Sequence, residues 1–301
     1  MSWNFPYDSP NAITTLLEKE GLAMSRKFGQ NFLISNSSRT RIVDLLDVQA
    51  GENVWEVGPG IGAITAILLE RGALLTAFEL DHGFCRILRT RAFGDEPGFT
   101  LIEGDALKTL FTALKERDAP RYLCGNLPYN VGSALVARLL EGDSRPERMV
   151  FTVQKEVAQR ICAKEGSKDW SSFSLLAQAD YDVEIGFDIP PGSFYPPPKV
   201  HSSVVVFQLR KASRIPKTDR FAFYLLVREL FGQRRKTLRN NLLQSKVGAR
   251  IAKEGVDRLL LLSEIDPSRR PETLIWEDIL SLSAHLSSIP AIHSEGTSPS
   301  R

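Results

Sequence analysis

The chain has 301 residues, 43% hydrophobic and 25% charged, with a net charge of +2 and three cysteines, Cys85, Cys124 and Cys162, that form no CxxC pair. This mix is that of a soluble globular protein with a core large enough for an enzyme. It excludes a disulfide framework, and no apolar run reaches the ~18–20 residues of a membrane span. The N-terminus lacks the basic start and apolar stretch of a secretory signal, so a reducing, cytoplasmic setting is expected. The four histidines are scattered, and no metal site is expected.

In chain order, Ile13–Leu17 carries helical apolar spacing, and so does Thr40–Leu46. The rhythm then shifts to short apolar runs: 53–58, 74–80, 99–105, 121–126 and 149–154. Between them lie stretches of helical character, such as Ile61–Arg71 and Ser133–Glu141, so the pattern predicts βαβ units and a parallel sheet. Two further strands, 180–189 and 202–210, are joined without room for a full helix and read as an antiparallel hairpin. The fold class expected is α/β, Rossmann-like, with seven mostly parallel strands.

Beyond Lys211 no β pattern recurs. Phe223, Leu226, Leu230, Leu238 and Leu242 fall near one apolar stripe, and 254–262 and 272–286 are also helical. From Arg210 to Arg250 there are twelve Lys/Arg against Asp219 and Glu229, a local charge of +10, so the remainder carries −8. Such segregation suits a polyanionic partner, and Arg234, Arg235, Lys236 and Arg239 are the candidate contacts for it. A solvated helix face is the competing reading. The expected organisation is an α/β domain over 1–210, a small helical domain over 211–288 and a disordered tail over 289–301.

The stretch "WEVGPGIGAIT" (55–65) puts glycines between a strand and a helix, where backbone N–H groups are free to meet a ligand. Alone this turn also suits a dinucleotide. Glu56, two residues before Gly58, argues instead for a ligand bearing an ammonium group, because a carboxylate there repels a pyrophosphate. Glu79 ends the next strand, where an acid accepts ribose hydroxyls. Asp105 ends the third, where a carboxylate could accept an adenine amino group. Three acids at successive strand ends suit a cationic, adenosine-containing, phosphate-free ligand, and S-adenosylmethionine fits. The competing reading is that some of these acids only cap helices.

The fourth strand runs into "GNLPYN" (125–130). Adenine N6 is a poor nucleophile because its lone pair is delocalised into the ring. Two acceptors on its hydrogens, the Asn126 side-chain oxygen and the Leu127 carbonyl, would favour a tetrahedral nitrogen. Pro128 fixes that carbonyl, and Tyr129 offers a face on which a base can stack. In-line placement plus oriented acceptors then replaces a strong general base.

These stretches, with "KFGQNFLIS" (27–35), "FELD" (78–81), "VQKEVAQRI" (153–161), "FYPPPKVHSS" (194–203) and "FGQRRKTLRNNL" (231–242), resemble the ribosomal RNA adenine dimethyltransferases, the KsgA family, to which the Erm resistance methylases are close relatives. The resemblance runs from about Met24 into 269–279. It implies that Asn31 and Leu33, with Gln30 beside them, close over the cofactor, that Gly58, Glu79, Asp105 and Asn126 hold its methionine, ribose, adenine and reacting end, and that Phe194 sandwiches the target base opposite Tyr129. Gly60 joins the cofactor site as part of the glycine turn. The resemblance further implies a small-subunit rRNA substrate within a pre-ribosomal particle, two adjacent adenosines in a terminal hairpin loop, and RNA binding by the domain over 211–288. Nothing in the sequence demands more than a monomer. Trp170-Ser171 stands where the family commonly has Tyr-Gly, and a Ser in a glycine conformation would cost about 1 kcal/mol. His201 reads as a surface residue. The rivals are an Erm-type methylase of large-subunit rRNA, a DNA adenine methylase, and a non-enzymatic RNA-binding assembly factor.

Overall fold

In an open parallel sheet, a crevice forms at the carboxyl ends of the strands where the strand order reverses. A computed structural model of the chain has this arrangement; it describes residues 3–22, 31–233 and 236–289. The seven-stranded sheet contains β2 (Asn53–Val57), β3 (Leu74–Glu79), β4 (Phe99–Glu103), β5 (Tyr122–Asn126), β6 (Arg148–Gln154), β7 (Tyr181–Ile189) and β9 (Ser202–Leu209). Their order is β4-β3-β2-β5-β6-β9-β7. Strands β4 through β6 are parallel, in the register Val54 to Leu75 and Val54 to Tyr122, and β9 runs antiparallel to β6. The expected mostly parallel sheet is present, and β2 and β5 flank its switch point.

A small second sheet was not legible in the sequence. β1 (Phe32–Leu33) pairs antiparallel with β8 (Phe194–Tyr195), Phe32 opposite Tyr195 and Leu33 opposite Phe194. Two residues per strand carry no alternation long enough to detect.

The chain divides into two compact units, Met1–Ala158 with Asp182–Leu209, and Gln159–Tyr181 with Arg210–Arg301. The helical unit thus takes in the insertion 159–181, which sequence reading placed with the first domain, while its second start falls one residue from the break expected at 211.

In the first unit, helix α1 (Pro10–Lys19) is capped by Ser9, whose side chain accepts from Ala12 N–H, and α2 (Asn36–Leu46) by Ser35 in the same way. α2 lays Ile42, Val43 and Leu46 on a sheet face carrying Val54, Leu75, Cys124, Val150 and Val204, all of them buried. Each such side chain contributes about 1.5–3 kcal/mol. The stretch expected as a helix from Ile61 starts only at Thr65, as α3 (Thr65–Glu70), because the glycine turn continues through Gly62.

In the second unit, α9 (Arg220–Leu230) buries Ala222, Phe223, Leu226, Val227 and Leu230 at helical spacing. The expected stripe is divided, however. Leu238 and Leu242 lie on a new helix, α10 (Leu238–Leu243), capped by Thr237, and the buried amide of Asn241 donates to the carbonyls of Gln233, Lys236 and Thr237 at 3.1–3.2 Å. Phe223 stacks on Trp276 of α12 (Trp276–Ser287) at 6.3 Å, and Trp170 Nε1 donates to Leu274 O at 2.9 Å. The strain expected at Ser171 is not there. Its φ of −159° is extended, and it leads into α8 (Ser172–Asp180) with its N–H donated to Ser174 Oγ at 3.1 Å.

Strain lies instead in α11 (Lys246–Leu262), where Ala252 has φ 58° and ψ −178°, a region that only glycine enters without cost. Ala252→Gly is expected to raise the stability of this unit by about 1 kcal/mol, read by denaturant unfolding.

Candidate active site

The carboxyl ends of β2, β3 and β5 open onto a cleft. Among the described residues it is lined by Asn31, Phe32, Leu33, Glu56, Gly58–Ile61, Ala63, Ile64, Glu79–Asp81, Phe84 and Asn126–Val131. Two glycines make the turn after β2 possible: Gly58 and Gly60 have φ of 71° and 59°, and a Cβ on Gly60 would sit 3.6 Å from the Phe32 ring, inside the cleft. Gly60 N–H donates to Glu79 Oε2 at 2.9 Å, and Asp81 N–H donates to Glu79 Oε1 at 2.9 Å. A carboxylate accepts about four such bonds, so capacity remains for hydroxyl donors.

Glu56 and Glu79 are both buried, at 1% and 7% exposure. Burial pushes each carboxyl up to about 7; a hydrogen bond from Thr65 Oγ1 at 2.6 Å opposes this at Glu56, as the two backbone N–H groups do at Glu79. The charge of Glu79 adds to the rise at Glu56. Two acids so placed, beside a turn with an open face, fit a ligand that carries positive charge and hydroxyl groups.

At the end of β5, Asn126 Nδ2 donates to the carbonyl of Asn31 at 3.0 Å. Only the NH₂ end of an amide can do so, and the orientation of Oδ1 as the remaining acceptor is thereby fixed. Leu127 N–H is held by Thr152 O at 3.2 Å, while Pro128 O accepts from Val131 and Gly132 as the chain turns into α6 (Gly132–Glu141). Among the described residues no donor takes the Leu127 carbonyl. Tyr129 OH meets Ser202 Oγ at 2.5 Å, which anchors the edge of its ring. Burial raises the Tyr129 pKa, and the bond to Ser202 opposes the rise.

The cleft thus brings together Asn31, Leu33, Glu56, Gly58, Gly60, Glu79, Asn126, Leu127, Pro128 and Tyr129. Gln30 lies outside the described residues, as do Arg234, Arg235 and the tail from 290. Asp105 does not line the cleft: it caps α5 (Ala106–Glu116), its Oδ1 accepting from Leu107 N–H at 2.9 Å. Phe194 is also placed elsewhere, 2% exposed in the core beside Leu33, Ile42 and Ile189, because pairing with β1 turns it inward. Leu80, Asp81 and Phe84 were missed as lining residues, although "FELD" carries two of them. In the helical unit, Arg239 forms a two-pronged ion pair with Asp257 at 2.6 and 2.9 Å, and Lys236 Nζ bonds Gln244 Oε1. His201 is exposed. No group of side chains able to hold a metal occurs among the described residues, and no helix there is long and apolar enough to cross a membrane.

The fold class is that of class I methyltransferases. A family model described as ribosomal RNA adenine dimethylase matches residues 21–276. "Ribosomal RNA small subunit methyltransferase A" of Treponema denticola is 41% identical over 92% of this chain and 94% of its own length. The protein of that name from Borreliella afzelii is 38% identical over 94% and 96%. Among solved structures, a dimethyladenosine transferase from Plasmodium falciparum superposes with a TM-score of 0.65 at 21% identity, covering 82% of this chain and 94% of that one. The 23S rRNA methyltransferase ErmE gives 0.62 at 21%, covering 85% and 99%. The chain belongs to the ribosomal RNA adenine dimethylase family. It is an enzyme of rRNA adenine methylation.

The raised carboxyls have a consequence for the ligand-free protein. A group at 4.5 unfolded and about 7 folded is protonated more readily in the native state. Its stabilising contribution is therefore full below 4.5 and falls as pH rises towards 7, by an amount of the order of 3 kcal/mol for each acid. Glu56→Gln keeps an acceptor for Thr65 and is expected to raise the melting temperature at pH 8 but not at pH 4.5, read by calorimetry across that range.

Proposed function

We propose that this chain uses S-adenosylmethionine to convert two adjacent adenosines of small-subunit rRNA to N6,N6-dimethyladenosine, within an assembling ribosomal particle. The observation that carries the chemistry is the pinned amide of Asn126, with its acceptor end left for the cleft. The small-subunit assignment rests on relatives of that name at 38–41% identity over nearly their whole length.

Glu79 and the Gly58–Gly60 turn would hold the nucleoside portion, and Glu56 with Glu79 would answer the positive charge. Asn31 and Leu33 would close the near wall. S-adenosylmethionine, when bound, supplies an electrophilic methyl group on its sulfonium sulfur. The chain's own work is on the nucleophile. Asn126 Oδ1 and the Leu127 carbonyl accept the N6 hydrogens, drawing the nitrogen towards a tetrahedral form with a usable lone pair. Tyr129, its hydroxyl held by Ser202, presents a ring face to the base. A nitrogen that has become cationic loses its proton easily, so the acceptors suffice and no strong base is required. A singly methylated N6 keeps one hydrogen, and one acceptor can still orient it for the second transfer. Lys236 and Arg239 would add phosphate contacts, Arg239 by exchanging its Asp257 partner for phosphate.

Asn126→Ala is expected to bind S-adenosylmethionine with little change while methylation falls on the order of 10²–10³-fold. Full activity in that variant would remove the amide from the mechanism. Cofactor affinity should weaken as pH falls below 7, by up to about tenfold per pH unit for each acid, because the cation binds the ionised carboxylates. Titration calorimetry in buffers of different ionisation enthalpy reads the proton release directly. Mass-spectrometric mapping of dimethyladenosine in both rRNAs, with and without the gene, separates the readings. Loss from the small subunit supports this one, loss from the large subunit an Erm-type enzyme, and no change a non-enzymatic assembly factor.

A further inference from the structure

The segment Trp3–Leu22 lies almost wholly ahead of the residues matched by the family model, which begin at 21, yet it is built into three walls of the cleft. Tyr7 is the first contact. Its hydroxyl accepts from Trp3 Nε1 at 2.8 Å and donates its single proton to the carbonyl of Ile61, in the glycine turn, at 3.3 Å. Thr14 is the second. Its Oγ1 donates to Pro10 O at 3.0 Å, so in the 2.9 Å contact with Tyr195 OH it must accept. Tyr195 pairs with Phe32 in the small sheet, and Phe32 follows Asn31, whose carbonyl holds the Asn126 amide. At the third, Leu22 packs where a Cβ on Gly83 would sit 2.2 Å from it, against α4 (His82–Ile87), which follows the Glu79 wall.

We propose that this segment is a brace for catalysis, with Tyr7 and Thr14 as positioning residues for two different halves of the site. The proposal rests on the function proposed above. Tyr7 holds the turn that receives the cofactor. Thr14, acting through Tyr195 and the small sheet, holds the carbonyl that orients Asn126. The two hydroxyls are on one segment, so they fix the spacing between methyl donor and acceptor amide. A brace that only added stability would have no reason to act on the two halves separately.

This separation is the test. For Tyr7→Phe the dissociation constant for S-adenosylmethionine, measured by calorimetry, is expected to rise about 2–10-fold, the effect of one net hydrogen bond. Its KM should rise more than its kcat falls. For Thr14→Val the dissociation constant should hold while kcat drops about 2–10-fold, and Thr14→Ser should restore it. Melting temperatures of all variants are recorded alongside. Variants that bind and turn over like the parent, or that lose both parameters together in step with melting temperature, would overturn the proposal. If the parent binds S-adenosylmethionine but leaves small-subunit rRNA unmodified, only the functional reading fails, and the Tyr7 arm is still decided by calorimetry.

Discussion

Two carboxylates kept from water at the ends of adjacent parallel strands set the terms for the rest of the site. Glu56 and Glu79 are held there by their strands, and the N–H of Gly60 bonded to Glu79 locks the glycine turn to the neighbouring strand. Without a ligand this arrangement is a burden on stability, since burial disfavours both charges. The sheet must carry that burden through its apolar faces, where Val54, Leu75, Cys124 and Val150 lie fully buried. A positively charged ligand would reverse the balance. Stability and binding are thus opposite ends of one electrostatic arrangement.

The acceptor side of the cleft follows a different logic. An amide needs no charge to accept a hydrogen bond, but it must point one way. The Asn31 carbonyl supplies that direction through a single hydrogen bond, and Asn31 is itself placed by a sheet of two-residue strands. So small a sheet cannot be stable alone. Its support comes from both sides: Phe194 is sunk in the main core, and Tyr195 is bonded to α1. The inward position of Phe194 is therefore a condition for the orientation of Asn126.

The helical unit shows how charge can be present without being available. Arg239 is spent on Asp257, Arg220 on Asp180 at 2.6 and 3.1 Å, and Arg269 on Asp278 at 2.8 Å. The first two pairs tie helices together, and an exposed pair such as Arg239–Asp257 adds little stability.

Sequence determined much here. The alternation of short apolar runs with helical stretches specified the parallel sheet, because periods of 2 and 3.6 are properties of the backbone alone. The strand-end positions of Glu56, Glu79 and Asn126 were legible for the same reason, as was the glycine turn. Contacts between residues far apart in sequence were not legible. Phe194 is aromatic in a proline-stiffened loop, but strand pairing with Leu33 decides which way it faces. Trp170-Ser171 looked strained from its residue types, and the tertiary structure gives Ser171 an extended backbone that any residue adopts. The bond from Tyr7 to Ile61 spans 54 residues, and no local period encodes it. Periodicity reports which face of an element is apolar. Only packing decides what that face, and each polar atom beside it, will meet.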